Sequence, residues 1–509
     1  MLRLKGRTNF SSFLSLAIIL LLAFLLRVIN IDNNPAGFFC DEASIGYNAY
    51  SLLKTGQDEY GSSWPLFFRA FGEYKNPILI YSSIIPIYFF GLNEGSVRLT
   101  SAFYGVLGVL AIYLLARRMG GKKLGLWAAL FLAISPWHLH FSRTALEGLM
   151  PFVFFTTLGA YFWLIYRQEN RDLFKAIFCF ALALYSYFPA RLFIPLFCGS
   201  LAFLARQQLW KDKRKLLLSF LFLLVLIFPL FSHTFFGPGF SRWNQVAESK
   251  TAFQFFKLYW DHFSIDFLFF LGDASFPGQF ITRHSLANRG ELYFFQIILL
   301  VLGWWSLFKK RSVAKEMIVF WFLFYPVGTI FTQTSGPQAT RSIIGVVPFQ
   351  IISAMGIVTG FYWLRARIKK EVVFKLTMGL IYLVVIFSLV VYLMAFKNYP
   401  FYSADYWGWQ YGSRPIIEYF LRVSPYYDQL LMTDSFNAPQ IFLRFYDPKE
   451  KCFSCRVGNL ADFNPQLSQL FAIRVEEEKK WQEKGISYRV KEQIFYPSGH
   501  LAFLIIEPF

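Results

Sequence analysis

The sequence predicts an α-helical polytopic membrane protein with about 11 spans, a re-entrant or interfacial element, and a small C-terminal α/β domain outside the membrane. Two observations support this class. Of the 509 residues, 56% are hydrophobic and 21% aromatic, and apolar runs of about 17 or more residues, long enough to cross a hydrocarbon core, recur along most of the chain. The same composition excludes disordered, collagen-like and disulfide-scaffold proteins, which need lower hydrophobicity or far more Gly or Cys.

The chain is basic, with 50 Lys and Arg against 31 Asp and Glu and a formal charge of +19. Such a balance raises nucleic acid as a partner, but in membrane proteins basic residues collect in cytoplasmic loops. Clusters of Lys and Arg lie in the N-terminus and in alternate connections between the predicted spans. The excess of basic over acidic residues in these segments equals the formal charge of the whole chain. We therefore predict a bilayer as partner and no nucleic acid.

The first predicted span, about 12–29, follows a basic N-terminus with Arg3, Lys5 and Arg7. A cleaved signal peptide is the alternative, but this apolar run is longer than a signal core and no small-residue cleavage site follows it. We therefore predict a membrane anchor with a cytoplasmic N-terminus. The other predicted spans lie at about 98–116, 122–136, 149–166, 173–187, 190–205, 216–233, 291–308, 317–332, 342–364 and 376–396.

A shorter apolar segment, 77–90, is interrupted by Pro86. All the basic connections share the side of the N-terminus only if this segment does not cross, so we predict a re-entrant or interfacial element. The opposite face then receives a first external loop at 30–97 and a large external loop at 234–290. We expect one transmembrane module, 1–396, in a cell membrane (plasma or inner).

The composition changes in the tail, 397–509, which we predict to be an extracytoplasmic α/β domain. Its predicted elements are helices at 416–422 and 438–445 and strands at 429–434 and 501–507. Cys452 and Cys455 form a Cys-x-x-Cys pair there. A disulfide is permitted outside the cytoplasm, and half of a zinc site is the alternative, although no second pair completes it.

Asp41 and Glu42 are adjacent carboxylates directly after a hydrophobic triplet, in FFCDEASIGYNAY. A partly desolvated carboxylate at a membrane boundary can act as a general base on a hydroxyl. The alternative is structural: the dipole of a helix over 43–53 favours acidic residues in its first turn. The amphipathic pattern of this segment predicts a helix on the membrane surface.

Lys75 precedes the ambiguous segment, where a lysine either extends to anionic headgroups or binds a ligand phosphate. Arg143 and Glu147 are spaced i, i+4 and can pair on one helix face, yet Glu147 lies at the edge of a span, where ionisable groups are expensive and often functional. His138 and His140 resemble a pair of metal ligands but lack a third.

Arg191 lies in a very short external connection between two spans, where its guanidinium needs an anion or a water-filled cavity. Arg283, His284, Arg289 and Arg341 add donors on the same face. Each residue alone has a structural explanation. Their shared side predicts a pocket for an anionic, lipid-linked substrate.

The order of several motifs resembles the GT-C class of integral-membrane glycosyltransferases, in the branch of the dolichyl-phosphate-mannose protein mannosyltransferases and the bacterial lipid A aminoarabinose transferases. The resemblance covers about 12–396 and is densest between Phe38 and Pro195. The motifs are the Asp-Glu pair, EYKNP, EGSVRLTSAFYGVLGVLAIYLLARR, SRTALEG and YFPARLFIP. The terminal α/β domain departs from the eukaryotic protein mannosyltransferases, which have a β-trefoil.

The resemblance implies transfer of a sugar, with inversion, from a polyprenyl-phosphate donor to a hydroxyl of a lipid, glycan or protein acceptor on the outer face. Asp41 would be the general base, Glu42 its conserved neighbour, and Glu147 stands where many relatives have Asp. The candidates for binding the donor phosphate or sugar are Lys75, Arg98, Arg143, Tyr187, Arg191, Arg283 and Arg341.

Because lysine and arginine can offset the charge of a phosphate leaving group, we predict no metal site and no cofactor. Two other classes of protein remain as alternatives. A flippase or transporter of a lipid-linked saccharide predicts broken helices in paired halves, and a membrane glycan polymerase predicts products of changing chain length.

Overall fold

The computed structural model describes residues 2–309 and 312–509, and for residues 2–12 and 242 it describes the backbone only. The side chains of Arg3, Lys5 and Arg7, on which the predicted cytoplasmic N-terminus depends, therefore lie outside the described part. The α-helices of that part are α1 (Leu2–Val28), α2 (Cys40–Thr55), α3 (Pro77–Phe90), α4 (Glu94–Gly120), α5 (Lys122–Ile134), α6 (Pro136–Ser142), α7 (Leu149–Glu169), α8 (Leu173–Leu184), α9 (Ala190–Lys211), α10 (Lys213–Phe236), α11 (Ser241–Val246), α12 (Ala252–Asp261), α13 (Gln296–Lys309), α14 (Val313–Phe324), α15 (Val327–Ile330), α16 (Val346–Arg367), α17 (Glu371–Asn398), α18 (Pro400–Ser403), α19 (Ser413–Val423), α20 (Gln440–Tyr446) and α21 (Glu478–Glu483).

The strands form two sheets. A small antiparallel hairpin in the first external loop pairs two of them, and the other five form one sheet in the tail, in the order β4-β3-β5-β7-β6. In the larger sheet β3 is parallel to β4 and β5, whereas β7 is antiparallel to both of its neighbours. The strands are β1 (Phe68–Ala70), β2 (Glu73–Lys75), β3 (Gln429–Met432), β4 (Cys455–Val457), β5 (Gln469–Arg474), β6 (Tyr488–Phe495) and β7 (Leu501–Pro508).

The chain is a multi-pass membrane protein. By length and apolar composition, seven helical segments of the described residues can cross a membrane, or eight if the bent pair α5–α6 is one span. Shorter apolar helices, α8, α13 and the described part of α1, cover three more predicted spans, and α3 covers the segment predicted to be re-entrant or interfacial. The total of eleven spans therefore stays a prediction, because it depends on whether the shorter helices also cross the membrane.

The predicted span at 122–136 differs from the structure, because its helix turns by 59° after Ile134. Pro136 is the first residue of the next helix, α6, and has no N–H to continue the ladder. Gln296, not residue 291, begins α13. Helices α4, α7 and α16 are largely buried in the module, whereas α10 and α17 expose most of their apolar side chains at its periphery.

Helix α2 is enclosed by protein, which corrects the prediction of a helix on the membrane surface. It packs against α3 and α4 on one side and against α20 of the tail on another. Gly46 makes this approach possible, because a Cβ there would lie 2.6 Å from the side chains of both Phe445 and Val97. The tail therefore packs against α2, the helix whose first turn contains Asp41 and Glu42.

The tail is the small domain with a β-sheet that the sequence predicts. Its predicted helices and strands occur as α19, α20, β3 and β7, with ends shifted by a few residues. Cys452 and Cys455 form a disulfide, which agrees with the first of the two alternatives for this pair. Arg414 Nε donates to Glu94 Oε1 at 2.8 Å and so ties the domain to α4.

Candidate active site

A cavity of about 150 Å³ brings together residues from the first external loop, the α6–α7 connection, the α8–α9 connection, the large external loop and the chain between α15 and α16. Five of the ten predicted site residues line it: Asp41, Glu147, Tyr187, Arg283 and Arg341. Its other lining residues are Phe39, Leu146, Leu149, Ile281, His284, Gln338 and Thr340. These segments are far apart in sequence, so the fold itself creates this concentration of charge.

Asp41 lies in the first turn of α2, with its side chain 21% exposed. The helix dipole therefore favours its charge, as the structural alternative requires. Its Oδ1 atom also lies 2.5 Å from Lys75 Nζ. The carboxylate is thus both the start of a helix and a charged wall of the cavity, and the two explanations of this residue are compatible.

Lys75 ends the hairpin strand β2 and is buried, with a side chain 5% exposed. Burial opposes the charge of its ammonium group, but the nearby carboxylates of Asp41 and Glu73 outweigh this and raise the pKa of Lys75 above its ordinary value. It lines a small second cavity that shares Glu147 with the first. Such a lysine stays protonated and can face an anion.

Glu147 lies in the connection between α6 and α7 and has a φ of +44°. This left-handed conformation is unfavourable for a residue with a Cβ and persists only where the surroundings impose it. At the next residue, Gly148, a Cβ would lie 1.7 Å from the carbonyl oxygen of Ser186, so the α6–α7 and α8–α9 connections approach closely here. The backbone strain is thus located where the two cavities meet, which favours a functional role.

Arg283 and Arg341 supply cationic groups to the cavity that Asp41 lines. The Arg283 guanidinium lies 4.0 Å from the ring centre of Phe39 and donates to the Trp407 carbonyl oxygen at 2.8 Å. Burial lowers the pKa of Arg283, and the charge of Asp41 partly opposes this. Arg341 donates to the Thr332 hydroxyl.

Arg191, in the first turn of α9, is not among the lining residues. It donates to Asn76 Oδ1 at 3.1 Å and to the Gly239 carbonyl oxygen at 3.5 Å. Asn76 lines the second cavity beside Lys75. Arg191 is therefore one side chain behind that cavity, and its contact with the donor stays a prediction.

Glu42 and Arg98 form a fully buried ion pair, which corrects two of the predicted roles. Arg98 Nε and Nη2 donate to the two carboxylate oxygens at 3.0 and 2.9 Å. Its remaining donors bond to the carbonyl oxygens of Ile31, Pro35 and Gly37. With its donors used in this way, Arg98 has none to offer a phosphate.

The carboxylate of Glu42 is equally committed. Besides Arg98, it accepts from the backbone N–H groups of Ala145 at 2.8 Å and Phe39 at 3.3 Å. We therefore assign Glu42 the role of positioning Asp41 and the α6–α7 connection, instead of contact with the reacting atoms.

Arg143 also differs from its predicted role. It donates to the carbonyl oxygens of Leu26, Ile29 and Asn34, at 2.7 to 3.0 Å, and so holds the chain that leaves α1. These partners are backbone carbonyl oxygens, whereas the sequence suggests a donor phosphate or Glu147, four residues further along the chain, as the partner of Arg143. The guanidinium stabilises irregular backbone that leads from the first span to Asp41.

The two histidines of the α6 motif have different partners. His138 Nδ1 lies 2.8 Å from Arg27 Nη2, and His140 Nε2 lies 2.8 Å from the carbonyl oxygen of Arg283. In the described ranges, no group of three or more His, Cys, Asp or Glu side chains is arranged to hold a metal ion.

Sequence reasoning missed several polar residues around the cavity. Asp273 is fully buried, 3.2 Å from His284 Nδ1, and accepts from the Ala339 N–H at 2.7 Å. Gln338 lines the cavity and is also buried. Their only sequence signal is a position in external loops, which they share with many other residues.

Residues 76–233 match the family described as dolichyl-phosphate-mannose-protein mannosyltransferase. The dolichyl-phosphooligosaccharide-protein glycotransferase 1 of Pyrococcus furiosus is 31% identical over 172 residues, which are 31% of this chain and 17% of that protein. The match to curated relatives covers between 17% and 35% of their length.

Solved structures resemble nearly the whole chain. The oligosaccharyltransferase of Archaeoglobus fulgidus superimposes with a TM-score of 0.57 at 14% identity, over 97% of this chain and 74% of that one. ArnT of Cupriavidus metallidurans bound to undecaprenyl phosphate gives 0.54 at 14% identity, over 97% of both chains. The protein therefore has the GT-C glycosyltransferase fold, and the resemblance predicted from its sequence is confirmed.

Proposed function

We propose that the protein is a glycosyltransferase that moves a sugar from a polyprenyl-phosphate donor to a hydroxyl group on the extracytoplasmic face of a cell membrane, with inversion. The observation that carries the proposal is the pairing of Asp41 with Lys75, a base and a buried cation in contact, at adjoining cavities. Support comes from the family match and from ArnT, which has been solved with undecaprenyl phosphate.

Asp41 would remove the proton of the acceptor hydroxyl as its oxygen attacks the anomeric carbon of the donor sugar. A new bond forms between that oxygen and the anomeric carbon, on the face opposite the phosphate. The bond from the anomeric carbon to the phosphate oxygen breaks, and its electron pair leaves with the lipid phosphate. One displacement of this kind inverts the configuration.

The leaving phosphate gains negative charge in the transition state and needs fixed cations. Lys75 would supply the nearest charge to Asp41, and Arg283 and Arg341 would supply two more from the cavity that Asp41 lines. Glu147, which lines both cavities, and Tyr187, which lines the first, would hold the sugar hydroxyls. Together with Asp41, these residues come from five separate segments of the chain.

Replacement of Asp41 by Asn tests this function. The variant keeps a polar side chain at the helix start but cannot take a proton, so we expect transfer to fall by about 10²- to 10⁴-fold. Transfer of radiolabelled sugar from a polyprenyl-phosphate donor in membranes that contain the full chain measures this. Asp434→Asn, on the exposed surface of the tail, is the matched control, and an active Asp41→Asn protein would refute the assigned base.

The same membranes distinguish the other two classes of protein. A flippase would move the lipid-linked sugar across vesicles, and Asp41→Asn would leave that movement intact. A polymerase would lengthen its product with time, whereas single transfer gives one product mass. The contact between a carboxylate and a cation at adjoining cavities favours transfer over transport.

A further inference from the structure

A larger cavity, of about 630 Å³, lies beside the candidate active site and is not used by the proposed chemistry. It is formed by the large external loop, including α12, and by the chain after α15. Its lining residues include Gln254, Gln279, Phe280, Gln333, Thr334 and Ser335. Ile281 and Gln338 line both this cavity and the one that holds Asp41, so the two adjoin.

The charges of this polar cavity neutralise one another. Lys250 pairs with Glu248, and Lys257 Nζ lies 2.7 Å from Asp261 Oδ2. These four residues leave no net charge to attract an ion. A phosphorylated or strongly charged acceptor would gain little here, in contrast to the Asp41 cavity with its arginines.

The remaining polar side chains of the lining are amides and hydroxyls, which can both donate and accept hydrogen bonds. Ligand cavities of about 300–1,000 Å³ with a few placed polar groups are typical of small-molecule sites. Phe280 is 55% exposed and packs edge to face with Trp407, which is 47% exposed, at 4.6 Å between ring centres. Exposed aromatic rings beside amides offer an apolar surface to the C–H face of a sugar ring.

Gln338 is the second, independent observation. It is 6% exposed and lies at the junction of the two cavities, yet its amide oxygen Oε1 accepts no hydrogen bond from the described residues. A buried amide oxygen without a donor is costly. A ligand hydroxyl at this junction would satisfy it.

We propose that the polar cavity binds a neutral saccharide as the acceptor, with Gln338 accepting a hydrogen bond from the sugar unit that presents its hydroxyl to Asp41. The proposal rests on the transferase function proposed above and adds the acceptor class to it. The alternatives, a peptide or a lipid acceptor, become outcomes of the test.

The test is saturation-transfer NMR on the full chain in lipid nanodiscs. The probes are maltotetraose, cellotetraose and chitotetraose as neutral saccharides, the peptide Ala-Asn-Ala-Thr-Ala, and lipid A. We expect at least one tetrasaccharide to bind, and Gln338→Leu to weaken that binding by about 3- to 10-fold, the loss of one hydrogen bond. Gln466→Leu, on the exposed surface of the tail, is the matched control and should leave binding unchanged.

Gln333→Leu is a second variant because Gln333 is exposed and its loss does not endanger the fold; we expect a similar weakening. The proposal would be overturned if only the peptide or only lipid A binds, or if no probe binds at millimolar concentration. It would also be overturned if both variants bind the saccharide with the affinity of the parent protein. If sugar is transferred but never to a saccharide, the transferase function stands and the acceptor class falls. If saccharides bind through Gln338 and no sugar is transferred to any acceptor, the transferase function and the acceptor role fall, and only saccharide binding by the cavity stands.

Discussion

The Glu42–Arg98 pair gives the most quantitative prediction for stability. Replacing Arg98 with Met would keep much of the side-chain length but remove five hydrogen bonds, two of them to the buried carboxylate. Breaking a buried pair by removing one partner costs about 3–5 kcal/mol, because the other charge stays buried and unpaired. Native proteins are stable by only about 5–15 kcal/mol, so we expect Arg98→Met to lose a large part of the free energy of unfolding.

Unfolding with SDS in mixed detergent micelles, followed by tryptophan fluorescence, measures this loss. The double variant Glu42→Gln, Arg98→Met should recover at least about 1 kcal/mol relative to the sum of the single changes, because contacting residues couple. Arg422→Met, on an exposed face of α19, controls for the loss of an arginine. An Arg98→Met protein within about 1 kcal/mol of the parent would refute the structural role of Arg98.

Three further outcomes follow from the site and its loops. Lys75→Met should lower transfer by about 10²- to 10³-fold, as when one charge-stabilising donor is removed, whereas Lys75→Arg should retain part of the activity; equal activity of both with the parent would contradict phosphate binding. Transfer should persist in EDTA, because cationic side chains offset the leaving charge, and rescue of a chelated enzyme by one divalent ion would contradict this. Burial raises the pKa of Glu59, although Asn48 and Arg444 oppose the shift, so the folded state binds its proton more tightly than the unfolded state and stability should rise as pH falls from 7 toward that pKa. Glu59→Gln should flatten that rise in thermal unfolding curves, and an unchanged pH profile would contradict it.

The sequence predicts the membrane module well because a long apolar run indicates directly that the segment lies in hydrocarbon and not in water. The spans at 149–166 and 376–396 occur as α7 and α17 for this reason. Pro136 is a sequence signal for the break after Ile134, but Pro195 and Pro229 lie inside the continuous helices α9 and α10, so a proline alone does not locate a bend. The helix α2 is predicted, but its burial is not, because its apolar face fits a membrane surface and a protein surface equally.

The site is predicted in part. Asp41, Glu147 and Arg283 line one cavity, in agreement with the prediction that the connections in which they lie share one side of the membrane. Arg98 and Arg143 also lie near span ends, but their guanidinium groups bond to Glu42 and to backbone carbonyls. Which anion or carbonyl an arginine contacts depends on loops distant in sequence, so the tertiary structure alone separates binding from positioning arginines.

The central claim is that a lipid phosphate binds beside Asp41 in the candidate active site. A structure of the protein with undecaprenyl phosphate tests it most directly. We expect the phosphate within hydrogen-bonding distance of Lys75 Nζ, facing Arg283 and Arg341, with Arg98 still bonded to Glu42. A phosphate bound elsewhere on the protein, or held by Arg98 with the Glu42 pair broken, would contradict the proposed function of this site.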